Sequence, residues 1–146
     1  MNAATEATLT VVEERVLPHA PEKVWRALTQ SALMAEWLLA NDFKPEVGHR
    51  FTLRAPPQPG WDGIVKGVVT EVEPPTRLVY SWTVGNDPAT GLQTLVVFTL
   101  AREGNSTRLR MEQSGFRPDQ KQAYGGARAG WQQFLAKLEQ VLARTD

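Results

Sequence analysis

The chain contains no cysteine, which removes disulfides, a thiolate nucleophile and cysteine-ligated metals together. Histidine is nearly as scarce. Only His19 and His49 are present, whereas a metal centre needs three or four convergent ligands. Both are read as plain surface histidines, and no metal or cofactor is expected. Neither sign of charge dominates: Lys plus Arg, 16, balances Asp plus Glu, 16, and the pI is near 6.7. The basic footprint that neutralises phosphates is therefore missing, and nucleic acid is not an expected partner. No apolar run approaches the roughly 18 residues that cross a bilayer as a helix. The opening residues also lack a basic start followed by an apolar run. These absences point to a cytoplasmic protein without a membrane partner.

What the sequence does have is tryptophan. Trp25, Trp37, Trp61, Trp82 and Trp131 occur in a chain of 146 residues, a length that suits one ordinary domain. The indole combines a large apolar body with one N–H donor, so it suits a pocket wall as well as a core.

The periodicity divides the chain into elements. Residues 1–7 are small, polar and aperiodic, and are read as a loose tail ahead of a single domain over 8–144. The β-branched residues of 8–17 predict a strand ended by Pro18. Pro21 fits the first position of a helix over 21–30, with Glu22 in its first turn. Ser31 is the expected cap of a second short helix ending near Trp37. Period 2 then takes over. Strands are predicted from Phe43, over 49–55, 63–73 and 77–84, and as a hairpin of 92–101 with 106–114 about Gly104. The run Pro56-Pro57-Gln58-Pro59-Gly60 and residues 85–91 read as loops. Asp119 and Gln122 are spaced like a capping box for a last helix over 119–144. Its apolar stripe comprises Tyr124, Ala127, Trp131, Phe134, Leu135, Leu138, Val141 and Leu142. The fold class is α+β. A meander of about seven antiparallel strands curls as its twist accumulates, and the long helix lies in the curve.

Several motifs have plain readings. Ser114 lacks the Gly-x-Ser-x-Gly elbow of a nucleophile. Gly125-Gly126-x-x-x-Gly130 lacks the Lys-Ser/Thr of a phosphate loop and does not follow a strand. Glycines inside a helix cost stability, so close approach of helix to sheet is the expectation for these three, with a gate at a cavity mouth as the alternative. Glu13, Arg15, Lys66, Glu71, Arg110 and Glu112 are read as outward charges. The aromatic residues Trp37, Phe51, Tyr80, Trp82, Phe98 and Trp131 divide between core and cavity wall. Strand alternation sets Met111 beside Gln113 on the same face as the aromatics. These eight residues form the expected ligand site, a pocket of roughly 300–1,000 Å³. No catalytic residue is assigned.

At this point the segments resemble a known family. Ala20-Pro21-Glu22-Lys23-Val24-Trp25-Arg26-Ala27-Leu28-Thr29 resembles the opening of the START-like, or SRPBCC, superfamily. More narrowly it resembles the branch named after the activator of the heat-shock chaperone ATPase. Trp37, Glu71-Val72-Glu73-Pro74 running into Leu78 to Trp82, Gln113-Ser114-Gly115-Phe116, and Gly130-Trp131 with Phe134, Leu135 and Leu138 complete an ordered set. The resemblance implies the helix-grip fold (START-like or Bet v-like), with a deep cavity between sheet and C-terminal helix. It implies functions from lipid binding and polyketide cyclisation to hormone sensing, drug sequestration and co-chaperone activity. Many members carry a histidine where Gln113 stands, so the resemblance transfers no titratable group to that position.

The leading functional expectation is a non-catalytic binder of an apolar, aromatic or lipid-like small molecule. A cyclase or dehydratase in the same cavity is the alternative, with Tyr80 or Glu71 as its acid–base group. Stimulation of a heat-shock chaperone ATPase in a stress response is the third. The expected partner is thus a hydrophobic small molecule, with a homodimer or a chaperone as further candidates.

Overall fold

The computed structural model describes residues 8–85 and 91–146. The tail assigned to 1–7 and most of the loop assigned to 85–91 lie outside the described residues. The elements run β1 (Leu9–Leu17), α1 (Pro21–Thr29), α2 (Ser31–Trp37), β2 (Ala40–Asn41), β3 (Arg50–Arg54), β4 (Ile64–Glu73), β5 (Arg77–Val84), β6 (Leu92–Glu103), β7 (Ser106–Phe116) and α3 (Lys121–Arg144). The seven strands form one antiparallel sheet in the order β1-β7-β6-β5-β4-β3-β2. The two short helices carry the chain from β1 to the far edge. The meander then returns strand by strand until β7 pairs with β1. This is the helix-grip architecture.

Register assigns each side chain a face. Val11, Gln113, Val96, Tyr80 and Val69 stand opposite one another across five strands, and all are buried. The neighbouring row runs Glu13, Met111, Phe98 and Leu78. These rows form the concave face, which α3 crosses with Trp131, Leu135, Leu138, Val141 and Leu142 buried. α1 and α2 close one end of the curve, where Trp37 donates its indole N–H to the Ala27 carbonyl at 2.8 Å. Ion pairs between Arg144 and Glu36 and between Arg15 and Glu139 tie down the C-terminal half of α3.

Four expectations are corrected. β2 occupies Ala40–Asn41, and Phe43 lies beyond it in the core, with its ring 5.1 Å from Phe51 and 5.6 Å from Tyr80. α3 begins at Lys121, not Asp119, because Gln120 holds the cap position without a side-chain cap bond. Asp119 pairs instead with Arg117 at 3.2 Å. Ser31 is the first residue of α2, not its cap, and its hydroxyl donates to the Asn41 carbonyl. Glu13 and Arg15 point inward, since they share the face of Met111 and Leu109. They are tolerated there because β1 is an edge strand and the two charges pair with each other at 3.1 Å.

Gly67 shows how tightly the inner face is packed. It stands opposite Phe51 in the register, and a Cβ there would overlap both the Phe51 ring and the Ser81 carbonyl. The absent side chain leaves room for the ring against β4.

Candidate functional site

Among the described residues, the end of the curve away from α1 and α2 is open. Between the first half of α3 and the sheet lies a cleft of about 810 Å³. Its sheet side carries Val65 from β4, Trp82 and Val84 from β5, Leu92 from β6 and Gln113 from β7. Its helix side carries Gln122, Ala123, Gly126, Ala127, Gly130, Trp131 and Phe134, and the loop between β3 and β4 closes the rim with Gln58, Gly60 and Trp61. A shallower lobe of about 680 Å³ continues outward past Trp61 toward Asp62 and Asp119.

The proline-rich loop positions Trp61. Gln58 and Trp61 exchange backbone hydrogen bonds, each 2.9 Å, and Ala55 N–H donates to the Gly63 carbonyl at 2.8 Å. Gly63 takes φ +82°, and any Cβ there would overlap the Ala55 carbonyl, so the turn requires glycine. The Trp61 indole N–H then reaches the Ile64 carbonyl at 3.2 Å, which directs the ring over the rim.

Deeper in, a chain of polar groups crosses the base of the cleft. Trp131 Nε1 donates to Gln113 Oε1 at 2.7 Å, Gln113 Nε2 donates to Thr94 Oγ1 at 2.9 Å, and Thr94 Oγ1 donates to the Trp82 carbonyl at 2.8 Å. Each buried group finds its partner, and none of the four carries charge. The Trp82 and Trp131 rings meet with centroids 5.6 Å apart, and Phe134 lies edge-on to Trp131 at 5.5 Å.

Of the eight residues expected at the site, Trp82, Gln113 and Trp131 lie on the cleft wall. Trp37, Phe51, Tyr80, Phe98 and Met111 lie beneath it, buried in the core. There Phe98 touches Trp131, Tyr80 and Trp37 in turn, with centroids 5.9, 6.2 and 6.4 Å apart. Trp61, Phe134, Gln58, Gln122 and Gly60 also line the cleft without having been expected there, whereas Gly126 and Gly130 had a cavity mouth as their alternative reading. Phe134 was visible as part of the helix stripe. Trp61 carried no periodic signal, because it sits in a loop.

The glycines also depart from expectation. Nothing lies within 4 Å of where a Cβ would stand at Gly125 or Gly126, and at Gly130 only the Phe134 ring does, at 3.9 Å. Close packing against the sheet is therefore not what they serve. Gly126 and Gly130 face the cleft.

Among the described residues, no Asp, Glu, Lys, Arg or His lines this cleft. Burial raises the Tyr80 phenol well above its ordinary range, so the ring stays neutral within the core. Glu71 is exposed and pairs with Arg77 at 3.2 Å on the outer surface. The two groups that a cyclase would enlist thus lie off the cleft wall. Among the described residues, no cluster of three or more His, Cys, Asp or Glu could hold a metal ion. His19 has its pKa lowered by partial burial and by nearby Lys23, and its Nδ1 lies 3.2 Å from Lys23 Nζ. No helix among the described residues is long and apolar enough to cross a membrane.

Residues 18–143 match the family described as Activator of Hsp90 ATPase homolog 1-like protein. The chain belongs to that family. No curated protein matches the sequence. Among solved structures of similar fold is the crystal structure of protein MLL2253 from Mesorhizobium loti. It is 55% identical, with TM-score 0.87, and the match covers 94% of this chain and 99% of that one. The solution structure of BH1534 from Bacillus halodurans is 27% identical, with TM-score 0.76, over 93% of this chain and 99% of that one. CalU16 from Micromonospora echinospora, 22% identical with TM-score 0.75 over 94% and 78% of the two chains, shares the fold.

Proposed function

We propose that the cleft binds an uncharged, ring-containing small molecule and holds it without chemical change. The observation that supports this reading most is the composition of the wall. Three indoles and a phenyl ring surround a space of about 810 Å³, with the amides of Gln58, Gln113 and Gln122 as polar groups and no ionisable side chain among the described lining residues. Such a wall removes apolar ligand surface from water, while amides at the base and rim fix its orientation. A ligand burying about 200 Å² of apolar surface gains roughly 5 kcal/mol before the cost of immobilisation. A charged ligand would lose hydration there and meet no counter-charge from the described residues of the inner wall.

The test is a titration with uncharged aromatic compounds, read by tryptophan fluorescence. Binding should quench the emission, because Trp61, Trp82 and Trp131 line the cleft, and Trp82→Phe should reduce the change. A series of such compounds that neither alters the fluorescence nor raises the melting temperature would end this reading. Turnover of a bound compound would replace it with an enzymatic one.

A further inference from the structure

The cleft exists because its helix side is bare. Between Gln122 and Trp131, which also line it, the residues that face the cleft are Ala123, Gly126, Ala127 and Gly130, none with an atom beyond Cβ. The opposite wall is bulky, with Trp61, Trp82, Val84 and Leu92. Glycine is a poor helix residue, and here neither sterics nor backbone conformation demands it. A Cβ at Gly126 meets nothing within 4 Å. Neither Gly126 nor Gly130 is among the glycines with positive φ, so alanine would fit both backbones. Where alanine would fit and strengthen the helix, a glycine that also lines the cleft is a position at which binding can be set against stability.

We propose that Gly126 and Gly130 are the specificity-determining positions of the binding site, rests for a flat ring system laid between the α3 backbone and the Trp61 and Trp82 rings. This deepens the binding reading above and rests on it. The occupant is planar and uncharged, since it lies between helix positions that carry nothing beyond Cβ and two indole rings, and no described residue of this wall carries a charge. Polar atoms at its edge meet the Gln58 and Gln122 side chains, which both donate and accept. Gly125 is the internal control. It is the adjacent helical glycine, its Cβ site is equally empty, and it does not line the cleft.

The experiment uses the whole chain with two fluorescent probes that share one ring frame, neutral N-phenyl-1-naphthylamine and its charged relative 8-anilinonaphthalene-1-sulfonate. Wild type should bind the neutral probe at least tenfold more tightly than the sulfonate. Gly125→Ala, Gly126→Ala and Gly130→Ala should each raise the melting temperature by about 3 °C. Affinity for the neutral probe should hold in Gly125→Ala, fall at least threefold in Gly126→Ala and Gly130→Ala, and fall at least tenfold in Gly126→Leu. If wild type binds the neutral probe and all three alanine variants bind it equally, the specificity assignment is wrong while the site stands. Equal affinity for the two probes overturns the uncharged class. A wild-type chain that binds neither probe removes the binding reading itself, and this inference with it.

Discussion

Trp131 and Gln113 lock α3 to β7: the indole N–H meets the amide oxygen at 2.7 Å, and each residue is 1% exposed. The contact joins the closing helix to the base of the cleft and starts the chain of donors that ends at the Trp82 carbonyl. Gln113→Leu would leave the indole N–H and the Thr94 hydroxyl short of partners. The expected cost is about 1–3 kcal/mol in chemical denaturation. Adding Trp131→Phe should cost less than the two single changes summed, because the second change removes a donor already stranded. Strict additivity would mean the two groups do not depend on each other.

Tyr80 makes stability sensitive to alkaline pH. Its folded-state pKa is raised by burial, whereas the unfolded phenol ionises near its ordinary value of about 10. Above that value the unfolded state loses a proton that the folded state keeps, so stability falls as pH rises. The slope should approach about 1.4 kcal/mol per pH unit from this group. Tyr80→Phe removes the linkage, so its denaturation midpoint should fall less than that of wild type between pH 9 and 11. Parallel curves for the two proteins would show that Tyr80 ionises in the folded state as readily as in the unfolded.

Leu138 is fully buried where α3 lies on the sheet. Leu138→Ala should cost roughly 2–5 kcal/mol, the usual range for a large-to-small change in a core. A loss under about 0.5 kcal/mol would mean that the helix is held by something other than its apolar stripe.

Gly67→Ala tests the packing of Phe51. The added Cβ would overlap both the ring and the rigid Ser81 carbonyl, so a loss of about 1–3 kcal/mol is expected from the strain. In the background of Phe51→Ala the same change should cost less, because one of the two obstacles is gone. The Ser81 carbonyl remains, so the relief should be partial.

Much of this protein was legible in the order of its residues. Strand alternation and the 3.6-residue stripe of α3 depend on side chains close in sequence, and these placed β5, α1, α2 and the closing helix to within a few residues. The ordered segments from Ala20 to Leu138 pointed to the family and hence to the fold. Local chemistry was a poorer guide at element ends. Asp119 looked like a cap, yet Gln120 takes the position while its amide reaches the Gly91 carbonyl at 2.9 Å, a partner 29 residues away.

Only the tertiary structure decided which aromatics face space and which face one another. Alternation puts Tyr80, Trp82, Phe98 and Met111 on one face, but it says nothing of how far along that face α3 descends. The helix is drawn onto the sheet at its C-terminal half by Leu135, Leu138, Val141 and Leu142, with α1 and α2 packed beside it. Tyr80, Phe98 and Met111 are therefore covered. The Gly- and Ala-rich first half of α3 has no side chains with which to fill the gap, so the space opens at Trp82 and Trp131 instead. Trp61 joins them through the Gly63 turn, a long-range arrangement that no periodicity in the sequence could reveal.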